Sequence, residues 1–279
     1  GEIVALAELN LRAGRQAKLN SAFPTALDYL DRGIGLLSAG GDPWAQHYDL
    51  ALALHTEATE AAYLSGEFDR MEGWFHAILT RAGSILEKVK PYEIRILAYK
   101  AENKFTEAIR TGLEVLEQLG EKFPSNPHSA HVFRDLAATM IALRGRGNAE
   151  LMALPRMTDP EKSAAMRIIA DITSSVYWGM PNLVPLIVFR MVRLSLRYGN
   201  HPVSCFGYGA YGVLMCGVLG RMRTGYRFGQ LALDLLDRLD AKEWKAQIYV
   251  TPYTLINHWN EHVRNTLRPL QQSFQIGLE

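Results

Sequence analysis

One arrangement of residues recurs along this chain and restricts it to helices packed as antiparallel neighbours. In AYLSGEFDRMEGWFHAI, residues 62 to 78, Gly66 marks the end of one helix and Phe68 the start of the next. Met71, Phe75 and Ile78 then follow at helical spacing as a stripe to be buried. Ser21, Phe23, Ala26, Leu30 and Gly33 keep the same offsets, with Gly14 and Ala17 seven and four residues before the turn. Asn103, Phe105, Ala108, Gly112 and Val115 repeat them. Weaker copies run through Gly179, Pro181, Val184, Val188 and Met191, and through Gly220, Met222, Gly225, Gly229 and Ala232. Counted at Ala26, Met71, Ala108, Val184 and Gly225, the steps are 45, 37, 76 and 41 residues, and the step of 76 holds two periods of 38, the middle copy being degenerate around Gly145 to Leu154.

A period of this length, with small residues at the turn and where helices cross, is what tetratricopeptide-like hairpins require. Each hairpin carries an apolar face that it cannot bury alone, so the expectation is an all-α chain, a right-handed α-solenoid of stacked helical hairpins. It is read as a single repeat domain over 1–279, with repeats near 1–40, 43–90, 91–122, 128–157, 160–199, 202–240 and 241–279. The competing reading is an irregular helical bundle with accidental spacing. Gly66 and Ala108 are expected at helix crossings and should reject bulk. No run shows the strict alternation of a half-buried strand. Helix starts are read at Phe23 to Thr25, at Asp42 and Pro43, and at Thr158 to Glu161, where a hydroxyl cap precedes a first-turn proline and a glutamate. Breaks are expected at Gly40 and Gly41, at Lys90 and Pro91, in FPSNP (123–127), and from Asn200 to Pro202.

Thirty Lys plus Arg against 29 Asp plus Glu leave a net charge of +1, which gives no reason to expect a nucleic acid as partner. Two cysteines, Cys205 and Cys216, are too few for a disulfide framework and read as small buried residues in a reducing compartment. GEIVALAELN has no basic leader region, so it is no signal peptide and reads as the inside of a helix. Residues 202 to 220 are uncharged but hold five glycines, two tyrosines and a proline, the composition of a buried core helix. A cytoplasmic protein with no membrane segment is the expectation.

HWNEH, residues 258 to 262, matches the H-x-x-E-H spelling of one class of zinc peptidases. On a helix His258 and His262 would share a face with Glu261 beside them, but a catalytic zinc needs a third protein ligand. After His262 the only acidic residue is Glu279. The expected reading is a partly exposed polar helix face with Trp259 packed inward, and no metal. His128 and His131 lie beside a helix start with no further ligand in sequence and read as surface residues. No phosphate-binding glycine loop and no G-x-S-x-G elbow occurs, so no cofactor and no catalytic residue is assigned.

Charge is distributed unevenly. Between Asp171 and Asp234 lie 62 residues without an acid, carrying Arg190, Arg193, Arg197, Arg221, Arg223 and Arg227. Arg190, Arg193 and Arg197 fall at i, i+3 and i+7, one face of the helix that Pro181 opens. These six arginines are the candidate partner-binding residues, since guanidinium groups dock acidic or phosphorylated surfaces. A solvated basic face with carboxylate partners from adjacent repeats is the other reading. Aromatic clusters at Trp44 and Tyr48, Tyr177 and Trp178, Tyr208 and Tyr211, and Trp244 with Tyr249 read as core and wedge packing, or else as the lining of a ligand groove.

AYLSGEFDRME, LPRMTDPEKSAAMRI, VRLSLRYGNHPVSCFGYGAYG, GYRFGQLALDLLDRL and the closing HWNEHVRNTLRPLQQSFQIGLE together resemble one family. They are similar to the long helical repeat region of large bacterial signalling proteins that join a serine/threonine-kinase-like domain, an ATPase module, this region, a GAF sensor domain and a histidine kinase. The resemblance covers nearly the whole chain. It implies a non-catalytic interaction and regulatory segment, excised from a longer protein, whose partners are the neighbouring ATPase, GAF and kinase domains or other proteins. It also makes HWNEH a recurrent piece of that region. The alternative is a sensor whose concave groove binds a small-molecule effector, and a hydrolase built on HWNEH is a distant third.

Overall fold

A computed structural model describes residues 1–241 and 244–278, and among these the chain is all-α. No strand occurs among the described residues; the only β feature is an isolated bridge between Arg156 and Asn200. The chain divides into two compact units, Gly1–Gln118 and Leu119–Glu279.

The first unit contains α1 (Glu2–Leu19), α2 (Phe23–Ala39), the single turn α3 (Pro43–Gln46), α4 (Tyr48–Ser65), α5 (Phe68–Arg81), α6 (Ile85–Ala101) and α7 (Phe105–Gln118). Sequential helices pack on one another, and α4 also meets α1, α2 and α6. Small residues let them approach: Ala7, Ala26, Ala58, Ala61, Ala62 and Ala98 share the core with Leu11, Leu30, Leu54 and Met71. At the surface of this core Lys18 lies between Glu57 and Glu60 and ties α1 to α4.

The recurring sequence arrangement is a recurring backbone turn. Ser21, Gly66 and Asn103 adopt φ of +57°, +75° and +59°. After each, the next N–H (Ala22, Glu67, Lys104) donates to a carbonyl five residues back (Ala17, Ala62, Tyr99) at 2.9, 2.8 and 2.8 Å. That is a helix closed by a left-handed residue with its orphan carbonyl satisfied. The same three residues then start the following helix, their carbonyls accepting from Ala26, Met71 and Ala108 at 2.9, 3.0 and 3.1 Å. One junction residue therefore closes one helix and opens the next, which is why the spacing from turn to core position is invariant.

Gly66 earns its place by its positive φ alone, since a Cβ there would meet nothing within 4 Å. The expected helix crossing at Gly66 is not found. Ala108, by contrast, is fully buried. The break expected at Lys90 and Pro91 is also absent: Pro91 lies inside α6, buried. That helix is nucleated upstream by Ser84 and Glu87, each bonding the other's backbone N–H. The start at Asp42 and Pro43 gives only α3, capped by Asp42, before the chain breaks at His47.

The second unit contains α8 (Ser129–Leu143), the short α9 (Asn148–Met152), α10 (Pro160–Gly179), α11 (Val184–Tyr198), α12 (Pro202–Gly217), α13 (Met222–Leu239), α14 (Lys245–Leu255) and α15 (Leu267–Ile276). The turn geometry returns before α13, with Gly220 at φ +65° and the Arg221 carbonyl accepting from Gly225 at 2.9 Å. Here the turn holds one extra residue, because the Arg221 N–H reaches six residues back to Met215. The copy at Gly179 and Pro181 departs: a 3-10 turn spans Pro181–Leu183 and α11 opens only at Val184. The start of α10 is capped by Asp159, whose carboxylate accepts from Glu161 N and Lys162 N at 3.0 Å, and not by Thr158.

Of residues 202 to 220, expected as a core helix, Pro202–Gly217 form α12, with Cys205, Tyr208, Tyr211 and Cys216 all buried. No helix among the described residues is long and apolar enough to cross a membrane. Burial pushes the Cys205 thiol up to about 12, so it is an apolar packing group and no nucleophile. Gly225 faces Gly212 where α12 and α13 cross; a Cβ on Gly225 would lie 2.6 Å from the Gly212 carbonyl oxygen.

Candidate functional site

The site grows from α11. Leu186, Ile187, Val188, Met191, Val192, Leu194 and Ser195 occupy its buried face, against α8, α10 and α12. Arg190, Arg193 and Arg197 take the remaining stripe. At its C-terminal end α11 is clamped by Asn200, which is 1% exposed. Asn200 donates from Nδ2 to the Leu151 carbonyl at 2.8 Å and from its backbone N–H to the Pro155 carbonyl at 2.7 Å.

The three arginines are not equivalent. Arg193 donates from Nη2 to Asp135 Oδ2 at 2.9 Å, and from Nη1 to the Asp135 carbonyl and to Thr139 Oγ1, both at 3.1 Å. Asp135 and Thr139 lie one turn apart on the buried face of α8. The helix is inside out at this point: its polar pair faces α11 while Phe133 and Ile141 are 68% and 74% exposed. Arg190 pairs through Nη1 with Glu121, donates from Nη2 to the Lys122 carbonyl at 3.2 Å and lies 4.8 Å from the Phe123 ring centroid. Arg197 is exposed, 5.2 Å from the Tyr198 centroid, and has no carboxylate or hydrogen-bond partner among the described residues.

A fourth cation joins them. Lys162, in the first turn of α10, donates to Glu121 Oε1 at 2.9 Å and to the Leu119 carbonyl at 2.7 Å. The Glu121 side chain, 8% exposed, thus sits between Lys162 and Arg190. Each of its two oxygens is met by a cation, the pairing that burial of a carboxylate requires. Lys162, Arg190, Arg193 and Arg197, with Glu121 and Tyr198, line one cleft of about 420 Å³. Four cations face it against one carboxylate. The residues are donors almost throughout, so the cleft offers hydrogen bonds to an anion and few to a cation.

Arg221, Arg223 and Arg227 do not line this cleft. Arg221 and Arg223 are exposed at the start of α13. Arg227 is turned inward, donating from Nη1 to the Arg146 carbonyl at 3.2 Å and stacking 4.7 Å from the Phe228 centroid. The structure therefore joins half of the sequence-selected arginines into a site and adds Lys162, which lies outside the acid-free window. Only the cap pattern DPEK pointed to the start of α10; nothing in sequence pairs Lys162 with Glu121, 41 residues away.

HWNEH does not form a helix face. Asn257–Trp259 is a 3-10 turn, Asn260 and Glu261 leave it, and His262 caps a second 3-10 turn by accepting from Arg264 N at 3.2 Å. Trp259, expected to pack inward, is 54% exposed. Glu261 accepts from Tyr226 Oη at 2.6 Å, and that bond, with burial, pushes the tyrosine up to about 12. No three His, Cys, Asp or Glu side chains come together as a metal site among the described residues. His128 and His131 stack at 3.9 Å, with the His128 N–H donating to His131 Nδ1 at 3.4 Å, as the cap of α8. Among the aromatics, Tyr208 and Tyr211 are core, the first stacked on Phe228 and the second meeting it edge-on, whereas Tyr177 and Trp178 are 62% and 72% exposed. Trp44 packs 4.8 Å from the buried His55, and Tyr249 pairs with Tyr253 rather than with Trp244.

Compared with protein-family models, with curated proteins and with solved structures, the chain matches none.

Proposed function

We propose that this chain is a non-catalytic interaction and regulatory segment of a multidomain signalling kinase. Its hairpins act as tetratricopeptide-like repeats of a right-handed α-solenoid, and the basic cleft docks an acidic surface of a neighbouring domain, the ATPase module first among them. The observation that carries this reading is Arg197: an exposed guanidinium with no carboxylate partner among the described residues, lining a cleft already rich in cations. Arg190 and Arg193 are held by Glu121 and Asp135, so their geometry is set before anything binds.

The test is titration of the chain with the adjoining ATPase module at low and high salt, wild type against Arg197→Glu. Charge attraction at an exposed site is screened over about 8 Å at physiological ionic strength, so affinity should fall with salt. The substitution should weaken binding further while leaving the melting temperature unchanged. Changing Arg190 or Arg193 as well would confound this, because each would take one of two cationic partners from a buried carboxylate. Affinity that ignores both salt and Arg197→Glu, together with stabilisation by a small effector, would replace docking with the groove-sensor reading.

A further inference from the structure

We infer that the cleft of Lys162, Arg190, Arg193 and Arg197 is a phosphate site that takes a phosphorylated side chain of the docking partner; this rests on the docking reading above. Charge decides the class of ligand. Four cations line the cleft against Glu121, a surplus of three, of which Asp135, behind Arg193 and shared with Arg134, offsets at most one. A carboxylate would leave at least one positive charge unmatched. A phosphate monoester, carrying about −1.5 to −2 at neutral pH, covers more of the surplus.

Donor count points the same way. Lys162 spends two of its three N–H groups, on Leu119 and Glu121. Arg193 spends three of its five, on Asp135 and Thr139, and Arg197 spends none. The unspent donors belong to side chains on two helices, α10 and α11, and on successive turns of α11. Along that helix Arg190 and Arg197 are about 10 Å apart in rise, so a group with two coplanar oxygens engages one fork, whereas three tetrahedral oxygens can engage several. The carboxylates are at the back, with side chains 8% and 12% exposed, and fix the cations from behind. The first-turn N–H groups of Glu161 and Lys162 are already taken by Asp159, so the site is built from side chains and not from the helix terminus.

Calorimetric titration of the full chain tests this with four probes: a phosphoserine peptide, its glutamate twin, its serine twin and inorganic phosphate. The phosphoserine peptide should bind about tenfold or more tighter than the glutamate twin, the size of one charge-assisted contact. Arg197→Gln should weaken it about tenfold while melting close to wild type, since that exposed side chain makes no ion pair or hydrogen bond with the described residues and only rests over the Tyr198 ring. Glu121→Gln is the second variant. Removing the internal carboxylate leaves Lys162 and Arg190 short of a counter-charge, so the phosphopeptide should raise its melting temperature by more than it raises that of wild type. Equal binding of the glutamate and phosphoserine peptides overturns the phosphate assignment and leaves docking standing. Inorganic phosphate binding as tightly as the peptide overturns the protein-borne source. Phosphopeptide binding indifferent to Arg197→Gln, or no extra stabilisation of Glu121→Gln, overturns the site. Loss of all peptide binding overturns this inference alone if the ATPase module still binds, and both readings if it does not.

Discussion

Gly225 shows how little room a helix crossing leaves. A Cβ there would fall 2.2 Å from Cys216 Sγ and 2.6 Å from the Gly212 carbonyl oxygen, and backbone cannot give way as a flexible side chain can. Gly225→Ala should therefore cost about 2–3 kcal/mol by forcing α12 and α13 apart. Ala108, 0% exposed at the equivalent register position, should cost about 1–3 kcal/mol as Ala108→Leu. Gly66→Ala should cost only about 1 kcal/mol, from backbone strain without a clash. Urea melts of the three variants check the order. Gly66→Ala proving the worst of them would show that the turn, and not the crossing, carries the repeat.

Between elements, the contact of α8 with α11 depends on charge inside an otherwise apolar layer. Asp135 and Arg193 have side chains 12% and 23% exposed, so their pair is screened far less than a surface pair. Asp135→Leu leaves the guanidinium beside α8 without a counter-charge and should cost about 2–3 kcal/mol. The double change Asp135→Leu with Arg193→Met removes both charges and should recover most of that loss. Chemical melts of the singles and the double close the cycle, and additive losses would mean that the pair contributes nothing beyond packing. Phe133 and Ile141 belong to the same logic: α8 keeps its polar pair inward to meet Arg193, and its apolar residues are left outward.

At the scale of the molecule, Gly1–Gln118 and Leu119–Glu279 are each compact. The first has its own core of alanines and leucines drawn from α1, α2, α4, α5 and α6, closed by three copies of one turn. Residues 1–118 expressed alone should therefore give a helical circular dichroism spectrum and a single cooperative melt. A broad, non-cooperative melt would show that this unit does not store its stability within itself. The prediction follows from core content, because local helix propensity alone does not make a cooperative domain.

Helical class, the turns at Ser21, Gly66, Asn103 and Gly220, and the buried positions five residues after them were legible in the sequence, because they are local. A left-handed residue closes one helix and the residue after it opens the next, so the turn sets its own spacing to the core, and periodicity reports that spacing directly. Pro91 makes no break because the capping box upstream in α6 outweighs it, and HWNEH makes no helix face because a pattern of letters does not force a helix. The arginine stripe of α11 was legible for the same local reason, being one face of one helix. Its division into two paired arginines and one free one was not. Glu121, Asp135 and Lys162 lie 69, 58 and 28 residues from the arginines at their side, and only helix packing decides which charges meet, since Coulomb attraction acts through distance in space and leaves no period in the chain.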